Sequence, residues 1–218
     1  MFMTLTYPVV ENKTAPSSNY VLLHDVSWEQ LEQLDITLAG TGARLTYLDG
    51  VLEIMSPFFS EHEDLKKTIA MLLEAYMRIK NIRFYCRGSA TLGRQDNKGR
   101  CEPHESYNLE TKKPIPDLIL EVTVTSGGID KLEIYKRLGV PEVWYWEDGL
   151  VTVYSLQASV YQKVTQSVLL PELDLELIAR YSRMADPSGQ PVWRDGNRHR
   201  QQVDQYDAVT EYSQIIAV

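Results

Sequence analysis

Cysteine is scarce in this chain: Cys86 and Cys101 are the only two in 218 residues. Their spacing matches no zinc site, and a framework disulfide is not expected, so the composition points to a reduced, cytoplasmic setting. No apolar run approaches the roughly 20 residues that cross a bilayer, so no membrane partner is expected. The N-terminal MFMTLTYPVV lacks a basic segment and a small-residue cleavage site, and reads as no secretory signal. Positive charge is also short, with 22 Lys and Arg against 30 Asp and Glu and a net charge of −8. That balance speaks against a protein that holds a polyanion over a broad basic surface. It leaves room for carboxylates gathered around a divalent cation, which itself attracts phosphate. Internal repeats, low-complexity blocks, zinc-finger spacings and basic recognition helices are missing as well.

What is present is an ordinary core former, 44% hydrophobic and 24% charged, long enough for one domain. Residues 1–24, with Pro8, Pro16, Ser17 and Ser18 and no period, read as an irregular arm. Residues 25–185 read as the folded domain, and 186–218 as a C-terminal extension packing on it. Ser27 caps a short helix over 27–34. Two alternating runs over 43–55 flank Asp49-Gly50, a strong hairpin signal. Residues 61–80 carry Leu65, Ile69, Leu72, Leu73, Tyr76 and Ile79 at helical spacing, with Ser60 and Glu63 placed as a capping box. Strands are predicted over 82–94 (Gly88 a possible bulge), 101–109, 117–124, 142–147, 150–156 and 160–164. Helices are predicted over 129–138 and near 173–183. The order implies a mixed sheet with helices on its faces, an α/β or α+β architecture.

The stretch PDLILEVTVTSGGIDK (116–131) carries the chemistry. Alternation puts Asp117, Ile119, Glu121 and Thr123 on one strand face and four apolar residues on the other. A carboxylate in mid-strand costs several kcal/mol unless it is paired, hydrogen-bonded or on a metal, which singles out Glu121. Asp117 lies roughly 13 Å from it along the strand, too far to share one cation, and reads as a shaper of the strand entry. A partner for Glu121 must therefore come from a neighbouring strand. Lys131 falls within the apolar arc of its helix. It either snorkels with a buried stem or reaches Glu121 and a bound phosphate. His62 projects onto the apolar face of the 61–80 helix, with Glu61 at the edge. A histidine so placed is more often a satisfied core residue than a ligand.

The segments MSPFFSEHEDL (55–65), RGSATL (87–92), EPHESY (102–107), PDLILEVTVTS (116–126) and DKLEIYKRLGVPEVW (130–144) resemble the Uma-two family of restriction-endonuclease-like proteins, within the PD-(D/E)XK nuclease superfamily. The resemblance runs from about residue 25 to about residue 185. It implies a restriction-endonuclease-like mixed sheet flanked by helices, with an N-terminal β-hairpin. It also implies a divalent-metal-dependent endonuclease, a hydrolase of phosphodiester bonds with DNA as substrate, acting as a homodimer. Glu121 and Lys131 match the family's catalytic positions, and Glu121 would bind the metal. His104 stands where the family's metal-binding Asp is expected, so it becomes the second ligand candidate. Glu61, His62, Glu102 and Thr123 are outer-shell candidates, Glu102 because it would share a strand face with His104. The implied cofactor is Mg²⁺ or Mn²⁺, and an imidazole shifts preference toward Mn²⁺ or a softer ion. Two alternatives stay open: a nuclease fold without activity that binds nucleic acid or protein, and a structural dimer paired through Trp144, Tyr145 and Trp146.

Overall fold

The computed structural model describes residues 10–11, 20–56, 60–123, 128–184, 210, 212–214, 216 and 217. The chain forms two compact units, each assembled from separate stretches. The first comprises Met1–Pro57, Ala90–Glu102 and Thr125–Leu138, and the second Phe58–Ser89, Pro103–Val124 and Gly139–Val218.

The first unit is built on an antiparallel six-stranded sheet. Its strands are β1 (Val10–Glu11), β2 (Tyr20–Leu23), β3 (Arg44–Leu48), β4 (Val51–Met55), β6 (Leu92–Arg94) and β7 (Gly99–Cys101), in the order β1-β2-β4-β3-β7-β6. Asp49 and Gly50 both take positive φ, 48° and 89°, which the tight turn between β3 and β4 requires. Tyr20–Leu23, within the stretch read as an irregular arm, is a strand paired to β4. Helix α1 (Trp28–Leu38) starts as the sequence indicates: Ser27 Oγ accepts from Gln30 N and Gln30 Oε1 accepts from Ser27 N. Val26, Leu31, Leu45, Tyr47 and Leu52 form this unit's core. Helix α3 (Lys131–Leu138) packs on β7, with Ile134 Cγ2 only 3.3 Å from where a Cβ on Gly99 would sit.

The second unit is a mixed six-stranded sheet in the order β12-β11-β10-β9-β8-β5. Its strands are β5 (Phe84–Cys86), β8 (Glu105–Leu109), β9 (Leu118–Thr123), β10 (Glu142–Glu147), β11 (Leu150–Gln157) and β12 (Val160–Val164). β9 and β10 pair in parallel; every other pairing is antiparallel. One face is covered by α2 (Ser60–Ile79) and α4 (Leu175–Met184), which pack on each other and enclose Leu118, Leu120, Val122, Trp144, Trp146 and Tyr181. The helical stripe of α2 is buried at Leu65, Ile69, Leu72, Leu73 and Tyr76, while Ile79 is half-buried.

Two expectations need correction. Residues 82–94 are not one strand, nor are 101–109. Each divides into two short strands in different sheets: β5 and β6, then β7 and β8. Gly88, at φ 59°, redirects the first segment. Pro103, which has no N–H to give a ladder, interrupts the second. The tryptophans offered as a dimer surface are core: Trp144 is fully buried and Trp146 nearly so, while Tyr145 stacks edge-on against Tyr154 at 5.9 Å.

Glu142, at the start of β10, shows what full satisfaction of a buried carboxylate looks like. It accepts from Trp144 Nε1 (2.6 Å), Ser167 Oγ (2.6 Å) and Val168 N (2.8 Å), and is wholly buried. Glu142→Ala would strand those donors at about 1–3 kcal/mol each if none finds water. We predict a loss of about 3 kcal/mol or more in urea denaturation. A loss under about 1 kcal/mol would show that the network contributes little.

Candidate active site

In β9, Leu118, Leu120 and Val122 face the helices, while Ile119 and Glu121 face the other way and are also buried. Glu121 is 2% exposed. The antiparallel register pairs Glu105 with Leu120, so the next residues outward, His104 and Glu121, stand opposite each other. Their side chains meet: His104 Nδ1 and Glu121 Oε2 are hydrogen-bonded. The imidazole also lies 3.3 Å from Val122 N, and the His104 carbonyl accepts from Ser89 Oγ at 3.0 Å. Just beyond, Ser106 Oγ donates to the Gly88 carbonyl. The Gly88 turn is thus fastened to the start of β8 at two points, which fixes the histidine's backbone.

With Glu121 ionised, the carboxylate only accepts, so Nδ1 carries the proton and donates to it. The Val122 N–H, itself a donor, then makes no hydrogen bond to Nδ1, and the charge-assisted contact to Glu121 takes its place. Nε2 then holds the ring's remaining lone pair when the imidazole is neutral. His104 is mostly enclosed, its side chain 17% exposed.

The other residues named from the sequence fall as follows. Asp117 accepts from Leu109 N (2.8 Å) and Lys113 Nζ (2.6 Å) and fastens the strand entry. Glu102 does not share a strand face with His104, because β7 ends at Cys101 and β8 starts at Glu105. Glu102 belongs to the first unit, 4.0 Å from Arg44 Nε. Lys131 opens α3 in the first unit, half-buried and one turn before the buried Ile134 and Tyr135. Thr123 ends β9; its side chain, like those of Glu61 and His62 in the first turn of α2, lies outside the described residues, as does the proposed Ser60 cap.

Sequence reading passed over Glu53, 2% exposed in β4, whose Oε2 accepts from Gly128 N at 2.6 Å. The signal was a lone Glu inside the apolar run VLEIM. Gly128 must lack a side chain there, since a Cβ would sit 2.7 Å from Leu22 Cδ1. Glu105, next to His104 but on the opposite face, is half-buried, and that burial raises its carboxyl above the usual range against the opposing pull of Lys66 and Lys67. Arg137, hydrogen-bonded to Asp49 through both terminal nitrogens, holds the Asp49 carboxyl below its usual range.

Among the described residues no group of three or more His, Cys, Asp and Glu side chains is placed to hold a metal ion. The donors present still suit a divalent ion of the Mg²⁺ or Mn²⁺ kind, which takes one or two protein ligands and completes its shell with water and substrate oxygens. Glu121 offers a hard oxygen and His104 a nitrogen.

A sheet-centred carboxylate paired with an imidazole, on a mixed α+β framework, defines a class of protein with a polar site set into a sheet face. The family follows from comparison. A family model described as "Putative restriction endonuclease" (Uma2) matches residues 28–183, well over half of the chain, and the chain belongs to that family. Among solved structures, three chains match. One of them is titled a "putative nuclease belonging to DUF820" from Anabaena variabilis ATCC 29413, 13% identical. The match covers 62% of this chain and 90% of that one, with a TM-score of 0.44. No curated protein matches the chain. No helix among the described residues is long and apolar enough to cross a membrane.

Two outcomes follow from the geometry. Asp117→Ala removes the partner of the half-buried Leu109 N–H and should cost about 1 kcal/mol in chemical denaturation, with no effect on cation binding by the folded protein. Loss of cation binding would place Asp117 in the site. For Glu105, a raised folded-state pKa means that the ionised carboxyl is disfavoured in the native state. The wild type carries that penalty above the folded pKa and escapes it below the unfolded value near 4.5. Glu105→Gln should therefore raise Tm at pH 7 and lose that advantage below about pH 4; equal Tm at both pH values would refute the burial effect.

Proposed function

We propose that this chain is a divalent-metal-dependent endonuclease that hydrolyses phosphodiester bonds in DNA, with Glu121 and His104 at its centre. The observation that carries the reading is the buried Glu121 meeting His104 across β8 and β9, inside the stretch the family model spans. A divalent cation, when bound, supplies Lewis-acid polarisation of a phosphoryl oxygen and a water of lowered pKa. Glu121 offers a carboxylate oxygen for it. His104 holds that carboxylate through Nδ1, and as a second ligand Nδ1 would exchange its hydrogen bond to Glu121 for the shared ion; a nitrogen donor favours Mn²⁺ over Mg²⁺. Lys131 enters through its place in the Asp-Lys-Leu helix. Its ammonium would balance negative charge developing on the phosphate. Two copies acting together would allow both strands of a duplex to be cut.

A second reading rests on His104 itself. With imidazole in place of a carboxylate, one negative charge is lost from the ligand set, and the fold would persist as a non-cleaving nucleic-acid or protein-binding module.

Cleavage of supercoiled plasmid and single-stranded DNA, with Mg²⁺ and Mn²⁺ supplied separately, decides between them. We expect stronger cleavage with Mn²⁺. Losing even an outer partner of a metal ligand costs about 10–100-fold, so Glu121→Ala should cost more than about 100-fold. His104→Asp should shift the preference toward Mg²⁺. If only His104→Asp cuts, the second reading holds for the natural chain. If no version cuts, the nuclease reading is wrong.

A further inference from the structure

The net charge of −8 poses a problem for any protein that handles DNA, and the second unit answers it locally. Residues 78–87 carry Arg78, Lys80, Arg83 and Arg87 and no acidic residue. They run from the end of α2 into β5, the edge strand of the second sheet. Alternation divides β5 into two faces. Phe84 packs into the helix-covered core, 6.2 Å from the Tyr107 ring centroid, and Cys86 Sγ reaches Glu74 of α2. Arg83, Tyr85 and Arg87 therefore lie on the other face. Tyr85 pairs with Asn108 of β8, whose neighbours on that face are Ser106 and His104. Ser106 in turn pairs with Ile119 of β9, the same-face neighbour of Glu121. The basic edge and the His104–Glu121 pair thus lie on one face of one sheet, with Tyr85 two strand spacings across and four residues along from Glu121, roughly 16 Å.

The edge is built rather than incidental. Buried Asn108 accepts from Lys113 N (3.1 Å) and donates to the Ile115 carbonyl (3.0 Å), folding the 110–116 loop back against the strand. Arg87 reaches across to Asn108 Oδ1 and the Lys113 carbonyl. The fold-back brings Lys112 Nζ to 5.4 Å from the Tyr85 centroid, and the Arg83 guanidinium to 5.5 Å from the same ring. Arg83 and Lys112 are exposed, and among the described residues neither has a carboxylate partner. Arg78 and Lys113, by contrast, are paired with Glu74 and Asp117. Two exposed cations held against an aromatic ring on a sheet edge supply fixed positive groups of the kind that track a sugar-phosphate backbone.

We infer that the β5 edge, with Arg83, Tyr85, Arg87 and Lys112, is a surface that seats the DNA backbone on the sheet face that carries Glu121, a few phosphates along the strand from it. The inference rests on the nuclease reading for the identity of the ligand, while the geometry concerns binding alone.

The test is fluorescence anisotropy with a labelled 20-base-pair duplex, in EDTA so that nothing is cut, across a salt series. The Arg83→Gln/Lys112→Gln variant is compared with wild type and with Lys163→Gln/Arg180→Gln, which removes the same charge from exposed positions on β12 and α4. All are checked for equal Tm. The edge variant should bind at least about 10-fold more weakly at moderate salt. Its slope of log K against log salt should flatten by roughly 2, from about 0.9 per lost phosphate contact. The control pair should bind as wild type does. An unchanged affinity and slope in the edge variant, equal loss in both variants, or a folded wild type that binds no duplex would each overturn the inference. Wild-type binding that depends on the edge, with no cleavage under any metal, would sustain the surface and reject the nuclease reading. Cleavage by wild type with an edge variant that binds normally would do the reverse.

Discussion

A carboxylate at the centre of a sheet must be satisfied where it stands, because the strand on which it sits cannot move without breaking two ladders. β9 is paired on both sides and buried on both faces. Glu121 therefore looks to its neighbours, and the β8–β9 register selects His104. Compare Glu142, the partner of Leu118 on the next strand. Its oxygens are bound by neutral donors of fixed position, an indole, a hydroxyl and a backbone amide. That environment holds the carboxylate in one geometry. Glu121 is bound by an imidazole, which can carry either charge and which keeps a second nitrogen for other work. Two acids equally deep in one sheet thus differ in what surrounds them, and only one surrounding is suited to chemistry. Burial alone does not make a site; the kind of partner does.

The same contrast explains how much could be read in advance. The Asp49-Gly50 hairpin, the Ser27 cap, the stripe on α2 and the strands around Asp148-Gly149 are all set within a few residues, and local chemistry suffices to locate them. Strand parity was also legible, and it put Glu121 on the face opposite Leu118, Leu120 and Val122 and made a cross-strand partner necessary. What local pattern cannot carry is which strands become neighbours. Residues 82–94 and 101–109 each show continuous strand character, yet each is shared between two sheets. The residue that mattered for the second break was Pro103. Its missing N–H separates Glu102 from His104, leaving one in the first unit and the other in the second, although two positions apart in a single strand would have put them on one face. Glu53 escaped notice for a related reason: an acid inside a hairpin strand reads as a solvent-facing position until its distant partner, the Gly128 amide, is known.

Charge is a further case in which the local arrangement outweighs the total. At physiological ionic strength, interactions between exposed charges fade over about 8 Å. A polyanion at the β5 edge therefore responds chiefly to Arg83, Arg87, Lys112 and their immediate neighbours, and little to acids on remote surfaces. Repulsion from the whole molecule would slow the approach of such a ligand without deciding where it comes to rest. The period of two along a strand then links binding to chemistry. Because Tyr85 pairs with Asn108, and Ser106 with Ile119, the parity that turns Phe84 into the core also turns Arg83 and Arg87 toward the face that carries Glu121. A one-residue slip of β5 would bury the arginines and expose Phe84. The apolar cost of that slip, a lost aromatic contact with Tyr107 and two guanidinium groups forced against α2, keeps the cationic edge and the carboxylate on the same side of the sheet.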